Sequence, residues 1–353
     1  MILPKNVKLN NKKMLFVLLS GEHPTLPKAE VRAILESEKV FFKILDFSPR
    51  ILRIETSPNV QNLICKRAAY THFCGVELGL VEASEKEILS LVDNVDFDFF
   101  VSSGESFAVR VKWLGEKQKN LDTLGLEKKI GELILKRKPS LHVNLENPDK
   151  LFMGIIFNGR FIFGLTDKPK KKNFWKRTPR KKPFFHPSAL QPKLARCMVN
   201  LSRVSKGKIL YDPFCGTGSI PIEAELMGIE AIGSDLRESM VRGAKTNLNY
   251  YGVDAHLVVA DAFYLPFYTI NHVATDPPYG RVATTFGFST KSLMENFLER
   301  IVELINNGFL CVASPKNVNV SKLGENYGFK VLETHSIYVH RSLTREITVL
   351  KLE

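Results

Sequence analysis

The chain has 353 residues, room for two or three domains. Hydrophobic residues make up 44% and charged residues 25%, a globular balance that excludes wholesale disorder, a collagen-like chain and a coiled-coil rod. Lys and Arg number 50 against 37 Asp and Glu, and the resulting +13 suggests a polyanionic partner, either nucleic acid or an anionic membrane surface.

Near the start, lysines precede six apolar residues, Met14–Leu19. That run is short for a secretory leader and no small-residue cleavage site follows, so it reads as a core strand. An amphipathic helix is expected over Pro27–Ser37, then strands at Phe41–Leu45 and Ile51–Glu55, and helices over Gln61–Thr71 and Glu85–Val92. Phe107–Trp113 alternates apolar and polar residues as a half-buried strand does, and Leu124–Arg137 has a helical period. His142–Leu145, Leu151–Phe157 and Arg160–Thr166 read as strands, the last two joined by Asn158-Gly159, a strong hairpin signal. These units suggest two small α+β modules, 1–60 and 61–166.

Residues 167–183 read as a basic linker. Nine of the fifteen residues from Lys168 to Lys182 are Lys or Arg and none is acidic, so this segment holds most of the net excess. Beyond it, over 184–353, strands at Lys208–Tyr211, Ala231–Gly233, His256–Val259, Val273–Thr275 and Phe309–Ala313 alternate with helices over Ser219–Met227, Glu238–Tyr250 and Ser292–Ile305. Two last strands, Lys330–Tyr338 and Glu346–Leu352, are separated by a loop too short for a parallel crossover. The pattern is α/β, a mostly parallel doubly wound sheet with an antiparallel end. Ligands in such sheets bind at the carboxyl ends of the strands.

Acidic residues stand at those ends. Asp212-Pro213-Phe214-Cys215-Gly216-Thr217-Gly218-Ser219 follows one strand and opens a helix. It is neither a dinucleotide GxGxxG, since Pro221 stands at the third glycine, nor a P-loop, since no Gly-Lys-Ser/Thr follows. An aspartate there suits a cationic amino-acid ligand better than a pyrophosphate. Asp235 ends the next strand, where a carboxylate takes both hydroxyls of a ribose, or else caps the following helix. Asp261 follows the third strand and either caps a turn or accepts from an adenine amino group. Asp276-Pro277-Pro278-Tyr279-Gly280 is the sharpest signal. A planar sp² amine is a poor nucleophile, and a carboxylate with a backbone carbonyl can accept its two N–H bonds and aim its nitrogen at an electrophile. Tyr279 offers a face for stacking a base. His186, in Phe184-Phe185-His186-Pro187-Ser188, is placed to border such a site, and His340–Arg345 is a loop that either touches RNA or is solvated. The other histidines and the five scattered cysteines show no metal-ligand spacing, and the absence of CxxC fits a reducing cytoplasm.

DPFCGTG, the acidic residue after the second strand, Asp261-Ala262 and DPPYG, in that order, resemble class I S-adenosylmethionine-dependent methyltransferases of exocyclic amines. Phe107–Lys112, Ile130-Gly131 and Val143–Asp149 resemble a THUMP domain, with Asn144 where that family often has Asp. Arg180–Leu190 with the His340–Arg345 loop resembles most the archaeal tRNA guanosine-10 N2-methyltransferases. The resemblance covers nearly the whole chain. It implies a Rossmann-like methyltransferase sheet over 184–353 preceded by a ferredoxin-like module and a THUMP RNA-binding domain. It implies S-adenosyl-L-methionine held by Asp212, Phe214, Gly216, Thr217 and Gly218 at its methionine end, by Asp235 at its ribose and by Asp261 and Ala262 at its adenine. Asp276 and the Pro277 carbonyl would orient a flipped guanine amine against Tyr279, with direct transfer and no metal. tRNA would meet Lys170, Lys171, Lys172, Lys176, Arg177, Arg180, His186, Arg341 and Arg345.

The implied setting is cytoplasmic, without membrane or DNA, and with a small zinc-binding activator subunit as an optional further partner. Three other readings compete: methylation of guanosine 6 of tRNA or of ribosomal RNA, a DNA amine methyltransferase, and a non-catalytic RNA-binding protein. The RNA-type front half argues against DNA, and the intact acidic set argues against decay. One methyl or two is left open, because only pocket volume decides it.

Overall fold

In a computed structural model the described residues are 13–57, 60–115, 121–166, 172–264, 267–279 and 289–353. In chain order, the first half runs β1 (Lys13–Leu19), α1 (Leu26–Ser37), β2 (Phe42–Ser48), β3 (Ile51–Thr56), α2 (Val60–Arg67), β4 (Thr71–Glu82), α3 (Glu85–Asp93), β5 (Ser106–Leu114), α4 (Thr123–Arg137), β6 (His142–Val143), β7 (Lys150–Phe157) and β8 (Arg160–Thr166). The second half runs α5 (Pro192–Leu201), β9 (Ile209–Asp212), α6 (Ser219–Glu225), β10 (Glu230–Asp235), α7 (Glu238–Tyr250), β11 (His256–Val259), β12 (His272–Thr275), α8 (Thr290–Leu304), β13 (Gly308–Pro315), α9 (Val320–Asn326), β14 (Lys330–His340) and β15 (Leu343–Leu352).

These elements fall into two compact units. The first comprises residues 1–21, 40–65 and 71–171, and the second 22–39, 66–70 and 172–353. The first unit carries one sheet in the order β2-β3-β1-β4-β8-β7-β5-β6. Asn158 and Gly159 join β7 to β8 with φ of 46° and 71°, the left-handed pair that an Asn-Gly hairpin turn requires. Expected strand 142–145 shrinks to His142–Val143, and expected helix 61–71 stops at Arg67.

The central strand β4 was not anticipated, because Gly75 and Gly79 interrupt its pattern. Both glycines face packed side chains. A Cβ at Gly75 would lie 2.6 Å from Phe16 Cε1, and one at Gly79 would lie 2.3 Å from Leu91 Cδ1. Close approach demands glycine there and erases the sequence signal for a strand.

The second unit has a seven-stranded sheet in the order β11-β10-β9-β12-β13-β15-β14. Strands β9 to β13 run parallel, while β15 pairs antiparallel with β13 and β14. The order reverses at β9, flanked by β10 and β12, so a crevice opens beyond the carboxyl ends of these three strands. Helix α5 was also missed. Its apolar residues keep a helical period, but it opens on Pro192 and its polar Arg196 and Asn200 are buried rather than exposed.

Helix α1 belongs to this second unit and not with the strands on either side of it. Its Leu26, Ala29 and Ala33 share a core with Leu194, Ala195 and Met198 of α5. Glu30, fully buried, accepts from the Ala69 and Tyr70 N–H groups at 2.8 and 2.9 Å and from the Asn200 amide at 2.8 Å. Three donors thereby stand in for the water that burial strips from this carboxylate.

Candidate functional site

Asp212, the last residue of β9, is 2% exposed. Its Oδ1 accepts from Thr275 Oγ1 at 2.7 Å and the Phe214 N–H at 3.3 Å. Burial, against these two bonds, pushes the carboxyl up to about 8. The following turn holds Gly216 and Gly218 at φ of 49° and 77°. A Cβ at Gly216 would stand in open space, so the backbone itself faces the cleft. The turn is pinned from behind: Cys215 N–H donates to the Ser234 carbonyl at 2.8 Å, and Gly216 N–H to Asp235 Oδ2 at 3.2 Å.

Asp235 Oδ1 takes the Arg237 N–H at 2.9 Å, and Arg237 Nε lies 3.6 Å away. The residue capping α7 is Arg237, so Asp235 is not that helix's N-cap. Asp261 Oδ1 accepts from Phe263 N–H at 2.9 Å, while Ala262 is buried in the core beside Tyr211. Phe214 meets Phe297 edge to face at 5.3 Å.

Asp276 follows β12, and its Oδ1 is buried with no hydrogen-bond partner among the described residues. Oδ2 lies 3.8 Å from the Arg345 guanidinium. That guanidinium covers the Tyr279 ring at 5.6 Å, and Arg345 Nε donates to the Tyr279 hydroxyl. Burial raises the Asp276 carboxyl, and Arg345 and Tyr279 hold it back. Burial likewise raises the Tyr279 phenol. Pro277 is buried, and Gly280 lies outside the described residues.

One cleft gathers His186, Asp212, Phe214, Gly216, Thr217 and Asp276, together with the unanticipated Ser219 and Arg237. Its walls are carboxylates, a glycine turn and a few apolar faces. That set fits a cationic amino acid joined to a nucleoside. A roomier hollow of about 340 Å³ in the first unit lies between Asp93–Asp98 and Arg137–Lys138, where Arg137 already meets Asp93 and Lys138 meets Asp98. It carries no comparable set. Among the described residues no group of three His, Cys, Asp or Glu could hold a metal ion, and no helix is long and apolar enough to cross a membrane.

The cations expected on RNA divide. Lys170 and Lys171 lie outside the described residues. Lys176, Arg180 and Arg341 are exposed. Lys172, Arg177 and Arg345 are turned inward, a correction to their expected place on a phosphate-facing surface. Lys172 donates to the Ala68 carbonyl. Arg177 Nε and Nη2 meet the buried Glu223 at 2.5 and 3.3 Å, and Arg196 meets the same carboxylate at 2.7 Å. Both guanidiniums flank Phe174, at 5.1 and 5.2 Å. The segment is thus a strap clamped to its own unit, because Glu223, buried to 1% exposure, demands paired cations.

The chain matches two family models, a THUMP domain over residues 82–165 and an RMKL-like methyltransferase domain over residues 179–347. It is 38% identical over 343 residues to the tRNA (guanine(10)-N2)-dimethyltransferase of Methanothermobacter thermautotrophicus, covering 96% of this chain and 99% of that protein. The Pyrococcus abyssi protein of the same name is 34% identical with the same coverage. A tRNA (guanine(6)-N2)-methyltransferase of Methanocaldococcus jannaschii is 32% identical over 40% of this chain and 37% of its own length. Among solved structures, TrmN from Thermus thermophilus superposes with a TM-score of 0.54 at 18% identity, over 96% of this chain and 100% of that one. The SAH complex of SMU.472 gives 0.53 at 16%, over 98% and 99%. These two likenesses bear on the fold.

Proposed function

Because the chain belongs to the THUMP-containing tRNA guanine N2-methyltransferase family, we propose that it methylates N2 of guanosine 10 of tRNA, twice, in the cytoplasm. The full-length likeness to proteins named for that reaction supports nucleotide 10 over nucleotide 6, for which the likeness covers less than half of either chain. The observation that carries the chemistry is the buried Asp276 Oδ1, without a partner among the described residues, on a residue that lines the cleft. A buried acceptor without a donor is costly, and an incoming N–H supplies the missing partner.

S-adenosyl-L-methionine supplies an electrophilic methyl group when bound. The open Gly216 turn and the buried Asp212 fit its amino-acid end, the latter holding an ammonium. Asp235 holds the ribose hydroxyls, and Asp261 with the Ala262 backbone borders the adenine. In the first transfer Asp276 and the Pro277 carbonyl accept the two N–H bonds of the guanine amine, and in the second one of the two acceptors holds the remaining N–H, so that the nitrogen is in line for attack each time. Tyr279 stacks on the flipped guanine. The proton shed after transfer passes to Asp276, whose raised affinity for protons suits it to receive one.

Incubation of unmodified tRNA with the protein and donor, followed by mass-spectrometric mapping, tests this reading. N2,N2-dimethylguanosine at position 10 is expected. The same base at position 6 would overturn the choice of nucleotide. No modification, despite measurable donor binding, would show that the isolated chain lacks a partner such as a zinc-binding activator subunit.

A further inference from the structure

Lys182 is the one strap cation that is buried, 6% exposed, yet meets no carboxylate within 4.0 Å among the described residues. Its Nζ donates to Ser219 Oγ at 2.6 Å and to Thr217 Oγ1 at 3.3 Å. Glu223, whose negative charge acts on it, is already occupied by Arg177 and Arg196. Burial pushes the ammonium down to about 8. An uncompensated buried ammonium is costly, and proteins keep one where a counter-charge arrives from elsewhere.

The two hydroxyls that touch Lys182 both line the cleft. A hydroxyl accepting from an ammonium keeps its own proton free to donate, and that donation is strengthened by the polarisation. The geometry points to Lys182 as the source of positive charge by which this cleft recognises the α-carboxylate of its amino-acid ligand, relayed through Ser219 and Thr217. This inference rests on the reading of the cleft as the donor site. It assigns the two ends of the amino acid to opposite charges, the ammonium to Asp212 and the carboxylate to Lys182. The strap residue thereby becomes part of the site without touching the ligand.

Calorimetric titration with S-adenosylmethionine and with its decarboxylated analogue tests the assignment. The analogue keeps the sulfonium and the ammonium and lacks only the carboxylate. Lys182→Met should weaken binding of S-adenosylmethionine about 10- to 100-fold, the worth of a charge-assisted hydrogen bond. The same change should leave the analogue within about twofold. Ser219→Ala removes the relay with Lys182 in place and should reproduce the selective loss, which decides the matter if Lys182→Met fails to fold. Equal weakening of both ligands, or no weakening of either, would overturn the assignment and leave Lys182 a strap anchor. A parent protein that binds neither ligand would instead take down the donor-site reading on which the assignment depends.

Discussion

Asp276 is poised between burial, which favours its neutral form, and Arg345, which favours its charge. Asp276→Ala should retain donor and tRNA affinity while turnover falls about 10²- to 10⁴-fold, the usual worth of a positioned acid–base group, as single-turnover kinetics would show. The groups facing Asp276 are Arg345 from β15, Tyr279 from its own turn and Asp212 at the end of β9. Removing the cation in Arg345→Met lets burial raise the carboxyl further, so the acid limb of the rate profile should move to higher pH. Arg345→Lys, which keeps the cation, should cancel part of that shift, whereas a limb that stays in place in Arg345→Met would reduce Arg345 to packing. Asp212 titrates the other way round in its consequences. With its carboxyl at about 8, it is mainly neutral at pH 7 before ligand binds. An arriving ammonium favours the charged form, so donor binding near pH 7 should release close to one proton, measured as a buffer-dependent heat, and the release should vanish above about pH 9. The raised value also sets the sign for stability: this group's contribution is full below the ordinary carboxylate range and is lost as pH rises through about 8. The places of Asp212 and Asp235 at strand ends, and of Asp276 one residue past β12, were legible in the sequence because buried strands announce where they stop. The contact of Arg345 with the Asp276 turn and the place of Lys182 were not, since Arg345 reaches across from β15, which β13 separates from β12, and Lys182 meets hydroxyls 35 and 37 residues away.

At the scale of elements, the basic strap holds two kinds of cation. A charge run identifies neither, because burial and partner decide the role. Neutralising the exposed Lys176, Arg180 and Lys181 should leave thermal stability unchanged and flatten the salt dependence of tRNA binding, by about 0.7–0.9 in slope for each phosphate left without its cation. Arg177→Gln should act oppositely, costing about 1.5–3 kcal/mol because it removes a charge-assisted contact from the buried Glu223, which keeps Arg196, with a fall in melting temperature as the readout. The parallel strands and their helices were legible because buried strands alternating with amphipathic helices carry both periods plainly. Strand β4 was hidden because tight packing put glycines in it, whereas helix α5 carries a helical period that went unread.

For the whole molecule, the basic run marks a boundary only in part. The second unit draws on three separated stretches of chain, so a fragment starting at Lys172 would lack α1 and residues 66–70. Asn200 would be deprived of its Glu30 and Arg67 partners, and Arg203 of its Glu36. Leu194, Ala195 and Met198 would stand without the apolar residues of α1 packed against them. Such a fragment should melt well below the full chain or fail to fold, as circular dichroism would report, although sequence comparison marks a methyltransferase domain wholly within it. The same construction sets a timetable for synthesis. Glu30 and Asn200 are 170 residues apart, and a ribosome adding about 5–20 residues per second takes about 10–30 seconds to cover that distance. Throughout that interval the apolar side of α1 is out of the tunnel while the helix it will pack against does not yet exist, so a nascent chain of this protein is a client for chaperones early, long before its donor cleft has been made.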